Sequence, residues 1–138
     1  MNNDDRWFQG HLKDLDPAEC WELLAASEVG RIAYVDDHGP LALPVTFRAS
    51  DGSVLFRVSA YSQLARHLPG ADAALEVDDF DYFTRTGWSV LLRGRVESVD
   101  SDALPPEQDR PTPWPEGLRS LYLRLVVDTV SGRRLLEA

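Results

Sequence analysis

Residues 80–99 read FDYFTRTGWSVLLRGRVESV. The stretch opens on aromatic and polar residues and presents Trp88 directly after Gly87. It then becomes a long strand carrying Arg93 and Arg95. Two readings fit a tryptophan and two arginines on one strand. The first is a stacking surface for a flat, anionic cofactor. The second is an interface strand whose arginines meet the chain's surplus carboxylates. The segments on either side decide which kind of fold holds this strand.

Upstream, LDPAECWELLAASEVG (15–30) reads as a helix with Asp16 as N-cap, Pro17 at the first helical position and Glu19 at capping-box spacing. Cys20, Leu23, Leu24 and Ser27 share one face, and Gly30 is expected to stop the helix. The period then changes to two. RIAYV, the turn DDHG, and PLALPVTFRA follow, the last with Leu41, Leu43, Val45 and Phe47 on one face. Ser50-Asp51-Gly52-Ser53 reads as a tight hairpin. Next come the strand VLFRVS, a short helix YSQLARHL ended by Pro69-Gly70, the strand AALEVDDF, and the long strand from Gly87.

The stretch DALPPEQDRPTPWPEG holds five prolines and forms a long loop, of a kind more often functional than idle. LRSLYLRLVVDTVSGRRLL closes the chain as strand. A meander of about six short antiparallel strands most economically closes into a barrel, because closure hides the strand edges. Residues 1–14 read as a flexible polar segment and 15–138 as one domain.

The 138 residues suffice for one core without metal or disulfide staples. A net charge of -9 argues against a general nucleic-acid binder. Lys13 is the one lysine among 14 basic residues, a bias that fits a GC-rich genome or anion recognition by arginine. A lone cysteine, Cys20, allows no internal disulfide and suggests a reducing compartment. The opening residues lack the order of a signal peptide, and no apolar run reaches membrane-span length. The expectation is a cytoplasmic protein.

His11, His38 and His67 show no ligand spacing, and no nucleophile motif occurs, so neither a metal site nor a catalytic residue is assigned. The acidic run Glu76, Asp78, Asp79 and Asp81 fits either a cation site or a solvated loop, and the loop is favoured. FRVSAYSQLARH is more informative. Arg57 and Ser59 share a face, and Ser62 and Gln63 begin a helix whose free N–H groups attract anions. This set is a phosphate cradle or an ordinary strand-to-helix turn with Ser59 or Ser62 as N-cap, and spacing alone favours the turn. Trp88 and the loop residue Trp114 either border a cleft or pack in a core or interface.

The order of these elements, with VGRIAYVDDHGPLALPVTF, GSVLFR, LEVDDFD, TGWSVLLRGR, Trp114 and LRLVVDTVSGRR, resembles the pyridoxamine 5′-phosphate oxidase-like split-barrel flavoproteins. The similarity is to their short bacterial, nitroimidazole-resistance-like members, and runs from about Glu19 to Leu135. It implies a six-stranded antiparallel split β-barrel, a homodimer, and FMN in clefts between the two chains. By the same resemblance Pro44, Val45 and Thr46 line the flavin ring, Arg57 and Ser62 face its phosphate, and Trp88, Ser89 and Trp114 sit beside it; Ser59 and Gln63 join the cofactor-binding set from the cradle reading. Arg93 and Arg95 are assigned to the interface. Three positions depart from the family wording: Val58 replaces a hydroxyl, Tyr61 a glycine, and Gln63 the phosphate-facing lysine. The implied function is an FMN-binding oxidoreductase acting on a small molecule. The rival readings are a reductase using the deazaflavin F420, a haem binder on the same barrel, and a cofactor-free dimeric binding module.

Overall fold

The structure, a computed structural model, describes residues 11–50, 52–114 and 121–137. Its strands are β1 (His11–Asp14), β2 (Val29–Asp36), β3 (Gly39–Ser50), β4 (Ser53–Val58), β5 (Asp72–Asp81), β6 (Thr86–Ser98) and β7 (Leu121–Leu136). Helix α1 (Pro17–Ala25) precedes β2, and α2 (Gln63–His67) joins β4 to β5. All pairings are antiparallel, in the order β1-β7-β4-β3-β2-β5-β6, and β6 pairs back onto β7. Six strands thus close a ring, the expected split barrel, and β1 is a seventh strand laid beside the end of β7.

β1 departs from the flexible segment expected for residues 1–14. His11–Asp14 pairs in register with Arg133–Leu136, so its backbone groups are taken up by the free edge of β7. Residues 1–10 lie outside the described residues, as does Asp51 of the predicted hairpin; Gly52 there has φ +80°.

Helix α1 begins as its sequence predicts, with the Asp16 carboxylate accepting from the Glu19 amide at 2.9 Å. It ends earlier than Gly30. The Ala26 amide closes on Glu22, and the Ser27 hydroxyl donates to the Leu23 carbonyl at 2.8 Å. Gly30 instead sits buried inside β2, where a Cβ would stand 2.9 Å from the Glu76 carbonyl oxygen. Its role is close strand approach rather than helix termination.

Alternation builds the interior. Ile32 and Tyr34 of β2, Phe47 of β3, Val54 and Phe56 of β4, Leu75 and Val77 of β5, and Val90 and Leu92 of β6 are all buried. Cys20 and Leu24 of α1 pack into the same core, where α1 lies against β3 and β7. The split has a definite place in β3. Residues up to Thr46 pair with β2, whereas Phe47 onward pairs with β4, and the Phe47 amide donates to the Glu28 carbonyl at 2.9 Å. Thr46 breaks the alternation, being buried between two inward neighbours, Val45 and Phe47.

The proline-rich loop is anchored along the outer face of the barrel. The Val99 amide donates to the Tyr122 carbonyl at 3.1 Å, and Asp109 approaches Arg48 at 3.8 Å. The Arg110 guanidinium lies 5.8 Å from the centre of the Tyr122 ring while its Nε donates to the Pro105 carbonyl at 2.8 Å. With Pro111 buried, these contacts deliver Trp114 to the partner-switch point of β3.

Candidate functional site

A cleft of about 310 Å³ opens at that switch point. Pro44, Val45 and Thr46 form one side, and Arg57, Val58 and Ser59 at the end of β4 form the other. Val29, Leu64 and Ser62 complete the floor, and Pro113 and Trp114 overhang it from the loop. The walls are mostly apolar, and Arg57 places one permanent positive charge among them. The guanidinium of Arg57 stands 5.2 Å from the centre of the Tyr122 ring, its direct partner across β4 and β7. Stacking on a buried ring limits the directions in which that charge can point.

Ser62 caps α2, as the turn reading of the sequence had it. Its hydroxyl accepts from the Ala65 amide at 3.2 Å and donates to the Ser59 carbonyl at 2.7 Å. The Ser59 hydroxyl accepts from the Tyr61 amide at 3.3 Å, which leaves its proton directed elsewhere. Ser59 is therefore a better donor toward a ligand than Ser62, whose proton is already committed.

Gln63 points away from the cleft. Its amide nitrogen donates to Asp36 Oδ2 at 2.7 Å, across to the end of β2. That bond and the His38 amide, the larger influence, hold the Asp36 carboxyl below its usual range. Tyr61, expected from the resemblance to stand where relatives carry glycine, is 88% exposed and lines no part of the cleft.

A second chamber, about 400 Å³, adjoins the first and shares Val29 and Trp114 with it. α1 supplies Leu23, the turn after it supplies Ser27 and Glu28, β5 supplies Val77, Asp78 and Asp79, and β6 supplies Trp88. Seven of the ten expected site residues therefore gather in the first cleft and Trp88 stands in the second. Ser89, paired with Asp78 and Arg133, lines neither, and neither does Gln63. Arg93 and Arg95 are exposed on the outer face of β6, away from the residues lining both chambers.

Sequence reasoning missed Val29, Leu64, Asp79 and the Tyr122–Arg110 support. Val29, Asp79 and Arg110 become adjacent only through cross-strand register or loop path, which leaves no local signal, whereas Leu64 stands two residues after Ser62 in α2. Beside the second chamber, Arg31 bonds both Glu76 and Asp78 at 3.2 Å. Burial, followed by the nearby Asp78 carboxylate, pushes the Glu76 carboxyl up to about 7 despite that arginine. Among the described residues no group of three or more metal-ligating side chains converges, and no helix is long and apolar enough to cross a membrane.

The family model for pyridoxamine 5′-phosphate oxidase matches residues 16–134. The uncharacterized protein Rv0080 of Mycobacterium tuberculosis is 30% identical over 128 residues, spanning 88% of this chain and 84% of its own length. The FAD binding protein from Mycobacterium smegmatis is similar with a TM-score of 0.70 at 26% identity, over 90% of this chain and 98% of that one. The FAD and heme binding protein from the same organism shares the fold, with a TM-score of 0.69 at 23% identity, over 91% of this chain and 73% of that one.

Proposed function

The chain belongs to the pyridoxamine 5′-phosphate oxidase family, and from that premise we propose that it is a flavin-binding oxidoreductase whose first cleft holds the flavin in a homodimer. The carrying observation is the pairing of a mostly apolar cleft with Arg57 among its lining residues. The ring system fits against Pro44, Val45 and Trp114, and the phosphate meets Arg57 with the Ser59 hydroxyl beside it. When bound, the flavin supplies hydride or electron transfer, chemistry that belongs to the cofactor. The chain's residues then bind, orient and exclude water. Thr46, Pro113 and Trp114 hold the ring edge, and the Tyr122 stack holds the Arg57 charge in place.

The dimer is supported by size. Ligand pockets typically span roughly 300–1,000 Å³ and bury most of the ligand. A cleft of about 310 Å³ lies at the small end of that range. A whole flavin nucleotide seated there needs further cover, and the 69% exposed Trp114 is poised to receive it from a second copy.

The purified protein should be yellow or become so on titration with FMN or FAD, with saturable quenching of flavin fluorescence. Light scattering at micromolar concentration should give twice the monomer mass. A colourless protein that ignores FMN, FAD, F420 and haem would sink the cofactor reading and leave a binding module. Preference for FAD over FMN, or for the deazaflavin, would correct the cofactor while keeping the site. The FAD-binding relative makes both nucleotides necessary arms of that titration.

A further inference from the structure

The two chambers differ in charge. The first has Arg57, whereas the second is lined by Glu28, Asp78 and Asp79, with no lysine, arginine or histidine among the described residues that line it. β5 and β6 pair so that Asp79 stands directly opposite Trp88. Directly opposed residues hold their Cβ atoms about 5 Å apart. A carboxylate and the face of an indole offer each other nothing, since both are negative toward an incoming group. One cation between them satisfies both, through Coulomb attraction to the carboxylate and the quadrupole of the ring. Trp114 contributes a second indole to the same chamber. The arginine–ring contacts among the described residues lie on Tyr122, so they do not use the face of either tryptophan.

We propose that the chamber between Trp88, Trp114 and Asp79 is a binding site for organic cations, quaternary ammonium or protonated aromatic amines, and that these are the class of substrate presented to the neighbouring cleft. The substrate role rests on the flavin reading of that cleft; the binding preference does not. Asp78 is shared with Arg31, and among the described residues no ion pair reaches Asp79 or Glu28, which carry the remaining negative charge. Val29 and Trp114 bound both chambers, so a cation seated here lies next to whatever fills the first.

The test uses the full chain, free of flavin, and three probes of similar size: benzyltrimethylammonium, benzyl alcohol and benzenesulfonate. Calorimetry and tryptophan fluorescence should show saturable binding of the cation at least about tenfold tighter than the alcohol. The sulfonate should bind weakest. Trp88→Leu keeps apolar bulk and removes the indole, and Asp79→Asn removes the charge with little change in shape. Each should cut cation affinity about fivefold while leaving benzyl alcohol unchanged. Equal binding of cation and alcohol, or an undiminished preference in Asp79→Asn with its melting temperature intact, overturns the proposal. FMN titration of wild type and Asp79→Asn is run in parallel and should give the same affinity. Loss of FMN binding in both, with cation preference retained, overturns the substrate role alone. FMN binding without cation preference removes the cation site and leaves the flavin reading standing.

Discussion

Gln63 donates its side-chain amide to Asp36 at 2.7 Å, which ties the start of α2 to the end of β2 and turns the side chain out of the cleft. A lysine at this position would find a carboxylate already in reach. Gln63→Lys is therefore expected to pair with Asp36 rather than reach a bound phosphate, and FMN affinity should stay within about twofold of wild type. Isothermal titration with FMN and riboflavin decides it. A gain for FMN that riboflavin does not share would show that residue 63 swings into the cleft on binding.

Much of this fold is legible from the chain because a period of two runs clearly through β2, β5, β6 and most of β3. Leu41, Leu43, Val45 and Phe47 could be assigned to one face by counting alone. The α1 N-cap was equally plain, since Asp16, Pro17 and Glu19 carry their meaning within one turn. What escaped depends on distant partners. Gly30 looked like a helix stop until β5 was seen to press on it. β1 has no apolar alternation and exists because β7 outruns β4, leaving the edge opposite β6 open for it. Arg57 and Ser62 were readable as neighbours in sequence, but the rotation of Gln63 toward Asp36 spans 27 positions and no local rule reports it.

Gly94 tests how tightly the barrel closes. The β6–β7 register slips between Arg93 and Gly94, and a Cβ on Gly94 would overlap the Val126 carbonyl oxygen. Backbone there cannot yield without opening the β6–β7 seam. Gly94→Ala should cost about 2–3 kcal/mol, the range of overpacking a closed core. Urea denaturation should register that as a lower midpoint with an unchanged slope. A loss of less than about 0.5 kcal/mol, the usual limit for surface substitutions, would mean that the bulge relaxes.

The Glu76–Asp78–Arg31 group predicts a pH dependence of known sign. Glu76 has a folded value of about 7, above its ordinary 4.5, so the folded chain holds this proton more tightly than the unfolded chain. Its favourable contribution is complete below pH 4.5 and is lost as pH rises through 7. Glu76→Gln keeps a neutral side chain at every pH, and Arg31 retains Asp78. The variant should match wild type near pH 4.5 and exceed it at pH 8. Glu76 is about one third exposed and Arg31 more so, so screening reduces the gain to about 1 kcal/mol. Melting temperatures across pH 4.5–8 would show this as a few degrees. A variant less stable than wild type at pH 8 would mean that the Arg31–Glu76 pair outweighs the carboxylate crowding.

Arg57 is the residue on which the cofactor reading turns, because it is the one permanent cation among the described residues lining the first cleft. Alanine there would also remove the stem that packs toward Tyr122 and confound binding with stability. Arg57→Met keeps most of that apolar stem and deletes the guanidinium. A charge-assisted bond to phosphate contributes about 1.5–3 kcal/mol, so FMN should bind about 10–100-fold more weakly to the variant. Riboflavin has the same ring and no phosphate, and its affinity should stay within about twofold. The FMN advantage of the wild type should also shrink as salt rises from 0.05 to about 0.5 M, since the ion pair is partly open to solvent. Parallel losses for FMN and riboflavin would mean that Arg57 supports the wall through Tyr122 rather than the phosphate. The anionic end of the ligand would then lie elsewhere along the furrow, and the orientation proposed for the flavin would have to be reversed.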